Sequence, residues 1–171
     1  MGTRNLTMVI DQEGIKKVAQ YGQWDGYPSG VGADILDFLK DKGLFEKFKL
    51  NLHKVRFLDV EGIDKEFVKS FNDKIKRTQQ QEEWYNTYCH RDLAAKILTN
   101  IANSTDENII LQDREETGKG DGWVEYCYVI NLKENTLGVY THVDREAIKV
   151  YKLDELPTEE DFVEELEELE D

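Results

Sequence analysis

The sequence predicts an α+β fold: a single, mostly antiparallel sheet, made of an N-terminal hairpin and a C-terminal meander, with helices packed on it. Three observations point there. Period-two patterns occur near both ends of the chain. Between them the apolar residues recur at helical spacing. Strands and helices do not alternate regularly, which argues against a doubly wound parallel sheet.

The elements follow in order. "RNLTMVID" alternates Leu6, Met8 and Ile10 with polar or smaller residues, a strand. "QEG" turns the chain at Gly14, and "IKKVAQYGQ" returns as a second strand. Val31, Ile35 and Leu39 form one face of a helix that Gly43 is placed to end. Leu44, Phe45, Phe48 and Leu52 suggest a second, short helix, and "VRFLDV" a short strand or connector. Asp64 is a suitable N-cap for a helix carrying Phe67, Phe71 and Ile75. "RTQQQEEWYNTY" has weaker periodicity, and "HRDLAAKILTNIAN" places Leu93, Ile97 and Ile101 on one helical face. "NIILQD" is a strand and "REETGKGDG" a polar loop. In "WVEYCYVINL", Val124, Tyr126, Tyr128, Ile130 and Leu132 share one strand face; Trp123, Cys127 and Val129 share the other. "TLGVYTH" and "AIKVYKL" complete the meander.

The organisation predicted is one globular domain over 1–156 and an acidic helix or tail over 157–171. A chain of 171 residues suffices for a single real core. The last fifteen residues hold nine carboxylates and no Lys or Arg, so most of the net charge of −14 lies there. Three readings of this segment stand: a solvated amphipathic helix docked through Phe162, Leu166 and Leu169, a mobile tail, or a mimic of a phosphate backbone. An acidic body does not bind nucleic acid by bulk electrostatics. No apolar run reaches the roughly 18 residues of a membrane span. The start "MGTRNLTMVID" lacks the basic-then-apolar pattern of a signal peptide. Cys89 and Cys127 form no C-x-x-C pair and read as free thiols of a reducing cytoplasm. No motif for a cofactor and no spacing for a metal is present.

The chemistry-bearing stretch is "YGQWDGYPSGVG", residues 21–32. Its glycines fit neither the phosphate loop nor the dinucleotide fingerprint. Leading into a helix, however, the backbone of Gly26, Gly30 and Gly32 could offer free N–H groups to an anion. Pro28 stiffens the turn, Trp24 and Tyr27 offer flat faces, and Gln23 and Asp25 offer polar groups. Arg4, at the open end of the hairpin, is expected near Gln23, Trp24 and Asp25 as part of a carboxylate or anion clamp. The alternatives are a structural turn whose rings cap the core and a surface ion pair at Arg4. "CHRD", Cys89 to Asp92, places a thiol, an imidazole and a carboxylate side by side, but neighbours in sequence at a helix start do not face one another.

Taken together, "MGTRNLTMVI", "VAQYGQWDGYPSGVG" and "VEYCYVINL…LGVY" resemble a family of small proteins of uncharacterised function seen in phages, bacteria and some fungi. Its members begin with a G-T-R-[NG]-L strand. They carry Y-x-Q-W-D-G-Y-P-x-G-x-G and, later, E-[YW]-x-Y-V-I-[DN]-L. The resemblance implies that Arg4, Gln23, Trp24, Asp25, Tyr27, Pro28, Gly30 and Gly32 form one unit, and it implies a phage or mobile-element origin. The leading expectation is a non-enzymatic binding protein that engages a host protein, counter-defence being one form, or a small anionic ligand through residues 21–32. The alternatives are a small hydrolase-like enzyme acting on an amide or nucleotide, with Arg4, Asp25 and Tyr27 in its site, and a nucleotide-sequestering protein.

Overall fold

The structure, a computed structural model, describes residues 2–75 and 77–170. Met1 and Asp171, the outer ends of the two expected segments, lie outside it. The fold is α+β.

Strands β1 (Asn5–Ile10) and β2 (Lys16–Gly22) form the N-terminal hairpin. Its turn is closed by the Asp11 carboxylate, which accepts from the N–H groups of Glu13 and Ile15, both at 2.9 Å. Gly14 there has φ +85°, a conformation that glycine adopts without penalty. The C-terminal meander is β5 (Tyr126–Asn131), β6 (Thr136–Tyr140) and β7 (Lys149–Lys152). The two units join through a parallel β1–β5 pair, giving the order β2-β1-β5-β6-β7; the other three pairings are antiparallel. A separate parallel pair, β3 (Val55–Phe57) with β4 (Ile109–Leu111), adds a second small sheet to the single one expected.

The helices are α1 (Ala33–Lys40), α2 (Lys42–Asn51), α3 (Lys65–Asn72), α4 (Gln79–Tyr88), α5 (Lys96–Ala102) and α6 (Glu159–Glu170). Three expectations need correction. Gly43 does not end α1. Asp41 does, by turning extended and accepting from Leu44 N (3.1 Å) as the cap of α2. Asp64 does not cap α3, because Arg56 (2.7 and 3.0 Å) and Asp59 N (2.7 Å) take its carboxylate. The helix expected from His90 starts only at Lys96. The carbonyls of Cys89 and His90 are spent on the Gln20 amide, and that of Arg91 on Gln23 N. Ala94, with φ +45°, turns the chain before α5.

The sheet has two unequal cores. On the helix side, Val9, Val18, Tyr128, Ile130, Leu137 and Val139 pack against Ile35, Leu36, Ile97, Leu98, Ile101 and Phe162. The other side is smaller: Leu6, Met8, Ala19, Tyr21, Val124, Cys127 and Val129. Val124 belongs to this second core, not to the Tyr126 face, because β5 begins only at Tyr126 and Val124 N is drawn to Thr117 O (3.2 Å). A flap over residues 113–123, opened by a 3-10 turn at Glu115–Gly118, covers that side. Helix α6 is docked: Phe162 and Leu166 are buried, whereas Leu169 stands exposed.

Candidate functional site at the end of the sheet

Residues 21–32 leave β2, cross the ends of β1 and β5, and enter α1 through a π-helical turn, Pro28–Gly32. The crossing is pinned by tertiary hydrogen bonds. Gly26 N donates to Thr3 O (2.9 Å), Tyr128 Oη to Gly26 O (2.7 Å), Asn5 Nδ2 to Trp24 O (3.1 Å), and Gln23 N to Arg91 O (2.9 Å). Inside the turn, Val31 N donates to Asp25 O (2.7 Å), and Gly30 N and Gly32 N both donate to Tyr27 O (2.9 and 3.3 Å). The glycine N–H groups expected to stand free are therefore engaged. These glycines are needed for close approach instead: a Cβ on Gly30 would lie 2.2 Å from Asp25 O. Asp25 itself has φ +54°, uncommon for a residue with a side chain.

The pinned backbone presents two rings. Trp24 is 46% exposed; its ring lies against Gly2, and its indole N–H donates to the Asp92 carboxylate (3.0 Å). Tyr27 is 55% exposed and leans on Tyr126 (6.0 Å between ring centres), which stacks on Tyr128. Burial, followed by a hydrogen bond to Glu170, raises the Tyr126 phenol above its ordinary pKa, so the ring is neutral at physiological pH. Asp25, like Trp24 and Tyr27, is solvent-exposed.

Arg4 does not clamp Asp25. Its partner is Glu125, whose carboxylate accepts from Arg4 N (2.8 Å) and lies 3.7 Å from the guanidinium. The parallel β1–β5 pairing brings these two strand starts together, a long-range fact that local sequence does not carry. Gln23 is turned to the other core, where Oε1 accepts from Tyr21 Oη (2.6 Å). The structure thus brings Trp24, Asp25, Tyr27, Gly30 and Gly32 into one pinned loop and sends the side chains of Arg4 and Gln23 to other partners.

Two residues nearby were not singled out by the sequence. Trp123, 50% exposed, meets Tyr21 edge-on (6.3 Å, 73°). Arg114 lies over the same ring, its guanidinium 5.5 Å from the centre. Trp123 is legible only as one more apolar residue of a strand pattern, and Arg114 as one charge in a polar loop.

The "CHRD" segment forms no catalytic set. Cys89 is buried and its thiol is pushed up to about 12, chiefly by desolvation. His90 meets its neighbour Asp92 (3.6 Å), and Asp92 in turn holds Trp24. Two buried polar atoms of β1 on the helix side, Asn5 Oδ1 and Thr7 Oγ1, have no hydrogen-bond partner among the described residues. No group of three His, Cys, Asp or Glu capable of holding a metal occurs among them, and no helix is long and apolar enough to cross a membrane.

No family model matches the chain, and no curated protein or solved structure is significantly similar to it.

Proposed function

We propose that this chain is a non-enzymatic binding protein that docks on a partner protein through the loop 21–32. The resemblance noted above makes the partner a host protein met in the cytoplasm by a phage or mobile-element accessory factor. One observation carries the reading. Two large rings, Trp24 and Tyr27, are half-exposed on a backbone fixed by hydrogen bonds from three other parts of the chain. Exposed aromatics on a preorganised support contribute strongly to protein interfaces, since little ordering cost remains at binding. The hydrolase reading has less behind it: Arg4 is paired with Glu125, and the neighbouring thiol is buried and protonated.

Affinity capture tests the proposal. The wild-type chain, immobilised, is expected to retain specific proteins from host lysate, and a Trp24→Ala/Tyr27→Ala double variant with an unchanged circular dichroism spectrum is expected to lose them. Equal capture by both, or none by the wild type, would refute it. A second check concerns the thiols. Burial pushes both Cys89 and Cys127 up to about 12. Iodoacetamide at neutral pH is expected to label neither in the native protein and both in urea. Rapid native labelling of Cys89 would bring the enzyme reading back.

A further inference from the structure

The side of the sheet away from the helices carries a feature that the partner-protein reading does not use. Between the flap and Asp144, in the connection after β6, lies a concavity of about 590 Å³, within the range of small-molecule sites. Arg114 and Trp123 both line it. Both are held by one support, the buried ring of Tyr21: Trp123 stands edge-on at 6.3 Å and the Arg114 guanidinium lies at 5.5 Å. Tyr21 is fixed in turn by its hydrogen bond to Gln23. The Arg114 backbone is tied at both ends, N–H to Ala19 O (3.0 Å) and carbonyl to Thr117 N (3.0 Å) and Oγ1 (2.7 Å).

The carboxylates around it mostly have partners. Asp113 shares Lys16 (2.6 Å) with Glu115, Glu116 pairs with Lys119 (2.6 Å), and the Asp144 carboxylate accepts from Gly120 N (3.1 Å). Asp121 is an exposed carboxylate on the rim. Arg114 is the exception that matters: among the described residues no carboxylate or other acceptor partners its guanidinium, although the residue is half-buried. A guanidinium offers five donors in a fixed plane, suited to a carboxylate or a phosphate. A half-exposed indole beside it offers a face on which a flat ring can stack.

We infer that this concavity binds a small flat anion, a ring bearing one carboxylate or phosphate, with the acid on Arg114 and the ring on Trp123. The inference goes beyond the partner-protein reading and does not depend on it: the Trp24/Tyr27 variant that abolishes capture leaves this site intact. Calorimetry on the full chain tests it with adenosine monophosphate as the phosphate probe, indole-3-acetate as the carboxylate probe, and adenosine as the uncharged control. At least one anion is expected to bind saturably, and adenosine at least about tenfold more weakly, since charge-assisted hydrogen bonds dominate. Arg114→Gln is expected to abolish that charge preference. Trp123→Ala is expected to weaken the anion by at least about fivefold, the low end for base stacking. Asp121→Asn, which removes the rim carboxylate, is expected to tighten it about twofold. Absence of saturation by both anions up to about 5 mM, which is less than about 4 kcal/mol of binding, overturns the inference. So does an Arg114→Gln protein of unchanged melting temperature that binds as the wild type does.

Discussion

Two glycine-bearing connections border the sheet, residues 21–32 across its end and the flap 113–123 on the side away from the helices, and they are held in different ways. The first is fastened by bonds to distant chain: Thr3, Asn5, Arg91 and Tyr128. The second is held largely by itself, through Thr117 N to Arg114 O, Lys119 N to Glu116 O, Gly122 N to Lys119 O and Val124 N to Thr117 O. Its ties outward are Arg114 N to Ala19 O, Val143 N to Gly118 O, Gly120 N to the Asp144 carboxylate, and the ion pairs of Lys16 with Asp113 and Glu115. A loop fastened at many distant points is a rigid platform, fit to present rings to a protein. A loop closed on itself over a small core opens at lower cost, which suits admission of a small molecule.

Substitutions of glycine sharpen the contrast, and the largest effect is expected in the first loop. A Cβ on Gly30 would lie 2.2 Å from Asp25 O, a backbone atom that also holds Val31 N. Relief requires moving the turn itself. Gly30→Ala is expected to cost about 3 kcal/mol, the upper part of the usual overpacking range. In the flap, Gly118→Ala brings Cβ to 2.5 Å from Leu6 Cδ2 and 3.0 Å from Cys127 Sγ, side-chain atoms that can partly yield. The expected cost is about 2 kcal/mol. Gly120→Ala meets only the ends of Asp144 and Arg145, at 3.5 and 3.6 Å, and is expected to stay within about 0.5 kcal/mol of the wild type. Urea melts of the three variants decide this. Reversal of the order of the first two would mean that the flap, not the 21–32 loop, is the stiffer cover.

Removing one fastener probes the platform more gently. Tyr128→Phe keeps the buried ring but leaves Gly26 O without its donor. A buried acceptor left unpaired costs about 1–3 kcal/mol. The same variant is expected to raise amide exchange at Gly26 and Val31 while leaving the flap unchanged. Exchange that rises equally in both connections would show them to be one cooperative unit.

How much of this was legible in the sequence follows from the range of the interactions. Leu6, Met8 and Ile10, or Tyr126, Tyr128 and Ile130, announce strands because alternation is local, and the α+β class follows from their order. The parallel β1–β5 pair is not local, and with it went the position of Arg4: read beside Asp25, it sits beside Glu125 because strand starts 121 residues apart are neighbours. The helix start at His90 was misplaced for a similar reason, its carbonyls being claimed by Gln20 across the sheet edge. Within 21–32 the residues belong together as expected, yet the use of the glycines differs. Composition suggested donors open to solvent; the structure spends those N–H groups on Thr3 and Tyr27. Arg114 and Trp123 were missed because their significance is a shared third residue, Tyr21, which no spacing in sequence reveals.

The smallest predicted effect concerns the tie between Gly120 and Asp144, one of the flap's outward bonds. The hydrogen bond from Gly120 N, ahead of the other influences on it, holds the Asp144 carboxyl below the ordinary value of 3.8. A carboxyl depressed by folding contributes fully above its unfolded pKa and loses that contribution as pH falls through the lower, folded value. The flap is therefore expected to keep this tie throughout neutral and mildly acidic conditions and to release it only below 3.8. The exposed setting makes the stability change too small for a melt, so the readout is the Gly120 amide proton shift by NMR. It should titrate with a midpoint below the ordinary carboxylate range, and Asp144→Asn should abolish the step while leaving Gly26 and Gly30 unmoved. A midpoint at or above the ordinary value would show that this bond does not fasten the flap in solution, and that its cover over the Arg114 concavity rests on the Ala19 and Val143 contacts and the Lys16 ion pairs.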